Sequence, residues 1–160
     1  MNLPSISSEY PLPCSVCESP IFPNQQHVME KAWKKYGEFG WNLLFDMAMC
    51  ADCMSSKQSE ISEESRNNIK AFMAQQNLEA EDGMCAINGK DLSTCEFIQG
   101  AFISDGYFTN ELYISDDALE DLQNILSKET KDNLDRFTEE QLGPPGAWKD
   151  LFSPTRPIIF

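Results

Sequence analysis

The chain has 160 residues, with 26 Asp+Glu against 12 Lys+Arg and a formal net charge of -14. That balance excludes broad electrostatic binding to nucleic acid or an anionic membrane surface, because phosphate affinity depends on Lys and Arg displacing counterions. Hydrophobic residues at 41% and aromatics at 11% suffice to bury a core, so generic disorder is excluded too, and the length fits one ordinary domain or two small ones sharing a core.

Along the chain, Pro4, Pro11, Pro13, Pro20 and Pro23 exclude regular helix from the first 24 residues, which read as an extended arm entering a loop with Cys14 and Cys17. From Gln26 to Phe39, Val28, Ala32, Trp33, Tyr36 and Phe39 fall three to four apart and predict a helix. Gly37 and Gly40 break it. Trp41, Leu43, Phe45, Met47 and Met49 alternate and predict a strand, with a helix as the alternative because Leu44 and Ala48 stand on the opposite face. Cys50-Ala51-Asp52-Cys53 follows, then a helix from a Ser55/Gln58 capping box to about Gln76 with Ile61, Ser65, Ile69, Phe72 and Met73 on its buried side. Residues 77–83 read as an acidic linker.

The second half has a different rhythm. Asn88-Gly89 and Asp105-Gly106 are hairpin signals, and strands around Cys85–Ile87, Cys95–Ile103 and Tyr107–Ile114 predict a small antiparallel sheet. Ser115 reads as the N-cap of a helix with Asp116, Asp117 and Glu120 near its positive end. Ser127 reads as the cap of another, carrying Leu134, Phe137 and Leu142 and stopped by Gly143-Pro144-Pro145-Gly146. The fold class expected is α+β, with residues 1–80 as a cysteine-bearing module and 81–160 as an acidic half holding the small sheet and two to three helices. The apolar segment 147–160, ending Pro-Ile-Ile-Phe, is expected to dock on its own domain, with a partner or a second copy of the chain as the alternatives.

Met1-Asn2-Leu3-Pro4 has neither the basic nor the apolar region of a secretory signal, and the apolar stretch 41–49 is interrupted by Asn42 and Asp46 and too short for a bilayer. A cytoplasmic setting is therefore expected. Closely spaced cysteines there read as metal ligands or redox thiols rather than disulfides.

Cys14-x2-Cys17 and Cys50-x2-Cys53 are two pairs of this kind. A two-residue gap lets one turn aim two thiolates at a point, and two such turns make the tetrahedral sulfur cage that zinc accepts. The arrangement resembles the treble-clef type of zinc-binding module over residues 12–76: there a loop knuckle gives the first pair of ligands and the start of a helix the second. The resemblance implies one zinc held by Cys14, Cys17, Cys50 and Cys53. Two departures stand beside it. The intervening segment carries a predicted helix where many such modules have a simple hairpin, and Glu18 and Met54 occupy the position after each pair where rubredoxin and zinc-ribbon knuckles carry glycine. Iron could use the same four thiolates, and Cys50 with Cys53 at a helix start would suit a thiol redox protein.

Other residues read more plainly. His27, the one histidine, is expected to be exposed or behind the ligands, with ligation the alternative. Cys85 and Cys95 are expected to be buried thiols, with pairing or a second ion as alternatives. The carboxylates Asp116, Asp117, Glu120 and Asp121 lack the spacing of a calcium loop and read as a solvated helix face. Trp33, Trp41 and Trp148 read as core. No catalytic residue is assigned. The function expected is non-enzymatic: a zinc-stabilised protein–protein interaction or regulatory protein with an acidic surface and a basic protein partner, the alternative being redox chemistry at Cys50 and Cys53.

Overall fold

The computed structural model describes residues 3–38, 40–74 and 81–141. A two-stranded ribbon pairs β1 (Leu12–Pro13) with β2 (Pro20–Ile21), and a four-stranded antiparallel sheet runs in the order β4-β3-β5-β6. Its strands are β3 (His27–Tyr36), β4 (Gly40–Cys50), β5 (Phe97–Ser104) and β6 (Thr109–Ser115), and the helices are α1 (Ala51–Gln58), α2 (Glu63–Ala74), α3 (Asp116–Asn124) and α4 (Lys128–Gln141). The fold is α+β, as expected. Strands from both sides of residue 80 share the larger sheet. No helix among the described residues is long and apolar enough to cross a membrane.

The helix predicted over 26–39 is instead β3. As an inner strand it is covered on both faces, and His27 through Trp33 are all buried. Such a strand loses the in–out alternation that identifies strands in sequence, and the spacing of Val28, Ala32, Trp33 and Tyr36 then imitates a helical stripe. Glu30 is tolerated inside because Gln99 Nε2 donates to its Oε1 at 3.1 Å. On the opposite face from Glu30, the N-terminal arm crosses the sheet. Ile6 N–H donates to Tyr113 OH, Tyr113 OH donates to Pro4 O, and Lys31 Nζ donates to Ser7 O, at 3.1, 3.0 and 3.2 Å.

Other boundaries also move. The helix expected from Ser55 to Gln76 is two helices, and the first starts at Ala51, inside the second cysteine pair. The strand expected at Cys85–Ile87 is a loop closed by the Asn88-Gly89 turn, with Gly89 at φ 74°. It keeps a single bridge, Met84 to Asp91, and touches the sheet where Ala86 N–H donates to Tyr113 O at 2.9 Å. A 3-10 turn at Leu92–Thr94 postpones β5 to Phe97. The Asp105-Gly106 hairpin and the Ser115 cap, which accepts from Ala118 N–H, form as expected. The ends expected near Gln76 and at 143–146, most of the 77–83 linker, Trp148 and the docking of 147–160 lie outside the described residues.

Where α2 and α4 begin, four hydroxyls close a ring. Ser62 donates to Ser65, Ser65 to Ser127, Ser127 to Thr130 and Thr130 back to Ser62, at 3.0, 3.1, 3.1 and 3.2 Å. Each oxygen also accepts one backbone N–H: Ser62 from Ser65, Ser65 from Ser127, Ser127 from Thr130 and Thr130 from Ser62. Each helix is thus capped by its own leading serine and by a hydroxyl of the other. Ser65→Ala and Thr130→Ala are each expected to cost about 1–2 kcal/mol. In urea unfolding of both single variants and the double, the coupling should exceed about 0.5 kcal/mol; strictly additive losses would mean that the ring does not act as a unit.

Candidate metal centre

The site is assembled at one end of the sheet. Register pairs His27 with both Cys50 and Ser104, so the end of β4, the start of β3 and the β5–β6 hairpin lie together. The β1–β2 ribbon carries the first cysteine pair in its turn, which is closed by Cys14 N–H donating to Ser19 O at 2.9 Å and Glu18 N–H donating to Cys14 O at 3.0 Å. A clip fastens this knuckle to β4: Ser15 N–H donates to Ala48 O at 2.7 Å, and Ala48 N–H donates to Ser15 Oγ at 3.1 Å. The second pair arrives at the junction of β4 and α1, where Cys50 is the N-cap and Cys53 lies in the first turn.

The result brings all four predicted cysteines together. Their Sγ atoms lie within 4.8 Å of one another, and Cys17 Sγ is 3.8 Å from Cys50 Sγ. Four thiolates around a tetrahedral ion at ~2.3 Å are about 3.8 Å apart, so the donor set and the spacing fit one tetrahedral metal. Cys14 is buried, Cys50 and Cys53 are half-buried and Cys17 is exposed. Cys50 N–H points at Cys14 Sγ over 3.5 Å, an N–H···S contact that ties the second pair to the knuckle.

As free thiols the group divides its charge unevenly. Hydrogen bonds from the Ser19 hydroxyl and backbone pull Cys17 down to about 6. Burial pushes Cys50 up, and burial together with the neighbouring Cys50 thiol drives Cys53 well above the ordinary thiol range. Several adjacent thiolates repel one another unless a cation is among them, and a bound divalent ion offsets that repulsion.

Glu18, at the position where rubredoxin and zinc-ribbon knuckles carry glycine, takes φ 64°. The knuckle therefore keeps the left-handed backbone that glycine would adopt freely, with a side chain in its place. That conformation costs a non-glycine residue about 1–2 kcal/mol, partly offset by the larger chain entropy glycine loses on folding. Glu18→Gly is expected to raise stability by about 0.5–1 kcal/mol, read as a higher midpoint in chemical unfolding; a fall would place the exposed Glu18 side chain in a contact that matters.

The other candidates stay apart from the cluster. His27 is fully buried, not exposed: its Nδ1 meets Gln25 O at 2.6 Å and its Nε2 meets Tyr10 OH at 2.8 Å. With the carbonyl accepting, Nδ1 carries the proton and Nε2 accepts from tyrosine, so His27 braces the arm beside the knuckle rather than ligating. Cys85 and Cys95 are buried and unpaired; Cys85 Sγ accepts from Ser115 N–H at 3.2 Å. Asp116 and Asp117 hold Lys90, at 2.9 and 3.2 Å, while Glu120 and Asp121 are exposed. The Ser15–Ala48 clip and the Ser19 hydrogen bonds carried no signal in the spacing, since a serine beside a cysteine is too common to mark either.

No protein-family model matches the chain, and neither curated proteins nor solved structures give a match.

Proposed function

We propose that this is a non-enzymatic protein stabilised by one zinc ion and built to bind a protein partner through its acidic surface, in the cytoplasm. Convergence of four sulfurs from two separate turns carries the reading. Four thiolates fill a tetrahedral zinc and leave no position for water or substrate, the pattern of structural rather than hydrolytic sites. A thiol redox pair needs two cysteines, and the placing of Cys14 and Cys17 against Cys50 and Cys53 favours the metal over that alternative. The treble-clef assignment gains support from the correction of β3: the two pairs are joined by the β3–β4 hairpin and followed by α1, so the departure posed by a predicted helix disappears.

The partner class follows from charge. A net of -14 favours a basic protein and disfavours nucleic acid. Elemental analysis of protein purified without added metal is expected to find about one zinc per chain, with four thiols released on chelation or unfolding. The immobilised full chain is expected to retain a basic protein that elutes as salt is raised. Metal-free protein with a rapidly oxidised Cys50–Cys53 pair would overturn the zinc assignment; a zinc-loaded chain that retains no specific protein would overturn the interaction role.

A further inference from the structure

The larger sheet ends at β6, and the outer edge of that strand is only partly used. In an antiparallel ladder, alternate residues turn their N–H and C=O away from the neighbouring strand. Asp105 N–H donates to Phe108 O across the hairpin, and Ala86 N–H donates to Tyr113 O from outside the sheet. Together these fix the alternation: Thr109, Glu111 and Tyr113 present their backbone groups outward. Above, the edge is occupied by Ala86 and by Cys85 Sγ, which accepts from Ser115 N–H. Below Tyr113, no strand among the described residues pairs with it.

Most of that free stretch, from Asn110 on, lines a groove of about 500 Å³ together with residues 81–84 and 86–87. Leu3, Met73, Met84 and Leu112 give it apolar surface, and Glu81, Asp82 and Glu111 give it three carboxylates. Neither lysine nor arginine is among the described residues that line it. An open strand edge recognises backbone, the apolar surface accepts alternate side chains of an added strand, and carboxylates without local counterions select cationic side chains.

The geometry points to β6 as a strand-addition site for an extended, lysine- or arginine-bearing peptide segment of the partner, which pairs with Thr109–Tyr113 and places its cationic side chains against Glu81, Asp82 and Glu111. The inference rests on the protein-binding reading above and names where on the molecule that binding occurs. It needs neither the metal ligands nor any group within reach of them.

The probe is a short synthetic peptide of alternating lysine and valine, compared with the same peptide N-methylated on alternate residues. The second keeps charge and side chains but cannot complete a ladder. With isotope-labelled, zinc-loaded full chain, the unmodified peptide is expected to shift the amide signals of Glu111, Leu112 and Tyr113 and to slow exchange of the Glu111 N–H at least tenfold. The combined variant Glu81→Gln, Asp82→Asn, Glu111→Gln, checked for unchanged circular dichroism, is expected to bind about tenfold more weakly or less. Equal binding of the N-methylated peptide, or an unchanged Glu111 amide, would overturn strand addition. So would a Glu111 amide already protected in the free protein, because the edge would then be covered by the chain itself. A triple variant that still retains the protein partner in the salt-elution experiment would remove the groove and leave the interaction role standing; failure of the unsubstituted chain to retain any partner would remove the role itself.

Discussion

Replacing Cys14 by serine is expected to abolish metal binding and lower the stability of the whole fold by several kcal/mol. Cys14 is the buried member of the four, and it belongs to the core cluster that includes Leu12, Val28, Met47 and Phe137 of α4. Apparent binding energies of structural zinc reach ~10–16 kcal/mol in small modules, against a net stability of about 5–15 kcal/mol for a typical domain. Even a fraction of the former decides whether the knuckle stays on β4. Chelation of the unsubstituted protein should reproduce the effect, seen as a large fall in Tm by circular dichroism that is restored by added zinc. Metal loss with an unchanged Tm would show that the ion is not structural. The pH dependence has a definite sign. Ligation requires thiolates, burial holds Cys50 and Cys53 above the ordinary thiol range, and loading must therefore expel protons. Apparent affinity is expected to fall by about tenfold or more per pH unit on acidification below neutrality. The stability contributed by the metal is present at neutral and alkaline pH and is lost as acid competes for the sulfurs. Calorimetry in buffers of differing ionisation enthalpy would count the protons released.

Trp33→Ala should be the most damaging change remote from the metal. Trp33 lies 4% exposed on the arm-covered face of β3, stacked on Tyr113 with ring centroids 6.1 Å apart. Gly100, the neighbour on β5, leaves the space they share: a Cβ built there would lie 3.1 Å from both Trp33 Cζ3 and Tyr113 Cε1. Truncating a buried tryptophan costs ~3–5 kcal/mol, a large share of the total. The packing also predicts its own compensation. Gly100→Ala in the intact protein is expected to cost about 1–2 kcal/mol through crowding, and to cost clearly less in the Trp33→Ala background, where the indole contacts are gone and only the one with Tyr113 remains. Unfolding curves for the four proteins of this cycle would measure the coupling, and additive losses would deny that Gly100 is small because Trp33 is large.

How much of this was legible in the sequence depended on how each element meets solvent. β4 and β6 each keep a partly exposed face, and their alternation or turn signals placed them. α3 announced itself through Ser115 and the acidic first turn. The metal cluster was legible because two-residue cysteine gaps have few other geometric uses. β3 was not, since burial of both faces erased its period and left Glu30 and Lys31 looking like the polar side of a helix. Their partners, Gln99 and the Ser7 carbonyl, are distant in sequence. The same distance hid the clip between Ser15 and Ala48. The start of α1 was misplaced for a local reason: a cysteine serves as N-cap without a side-chain hydrogen bond, whereas Ser55 resembled a conventional cap.

The hydroxyl ring ties the order in which the chain is made to the order in which it becomes ordered. Ser62 can cap its own helix at once, but its N–H is satisfied by Thr130, and the Ser65 hydroxyl donates its hydrogen bond to Ser127. A growing polypeptide therefore carries α2 with an incomplete first turn until the stretch through Thr130 has left the ribosome, and a fragment ending short of it should have a frayed α2. Strand β3 waits similarly for β5. Both features make the fold late and collective, so protein cut between its halves is expected to survive as neither half alone.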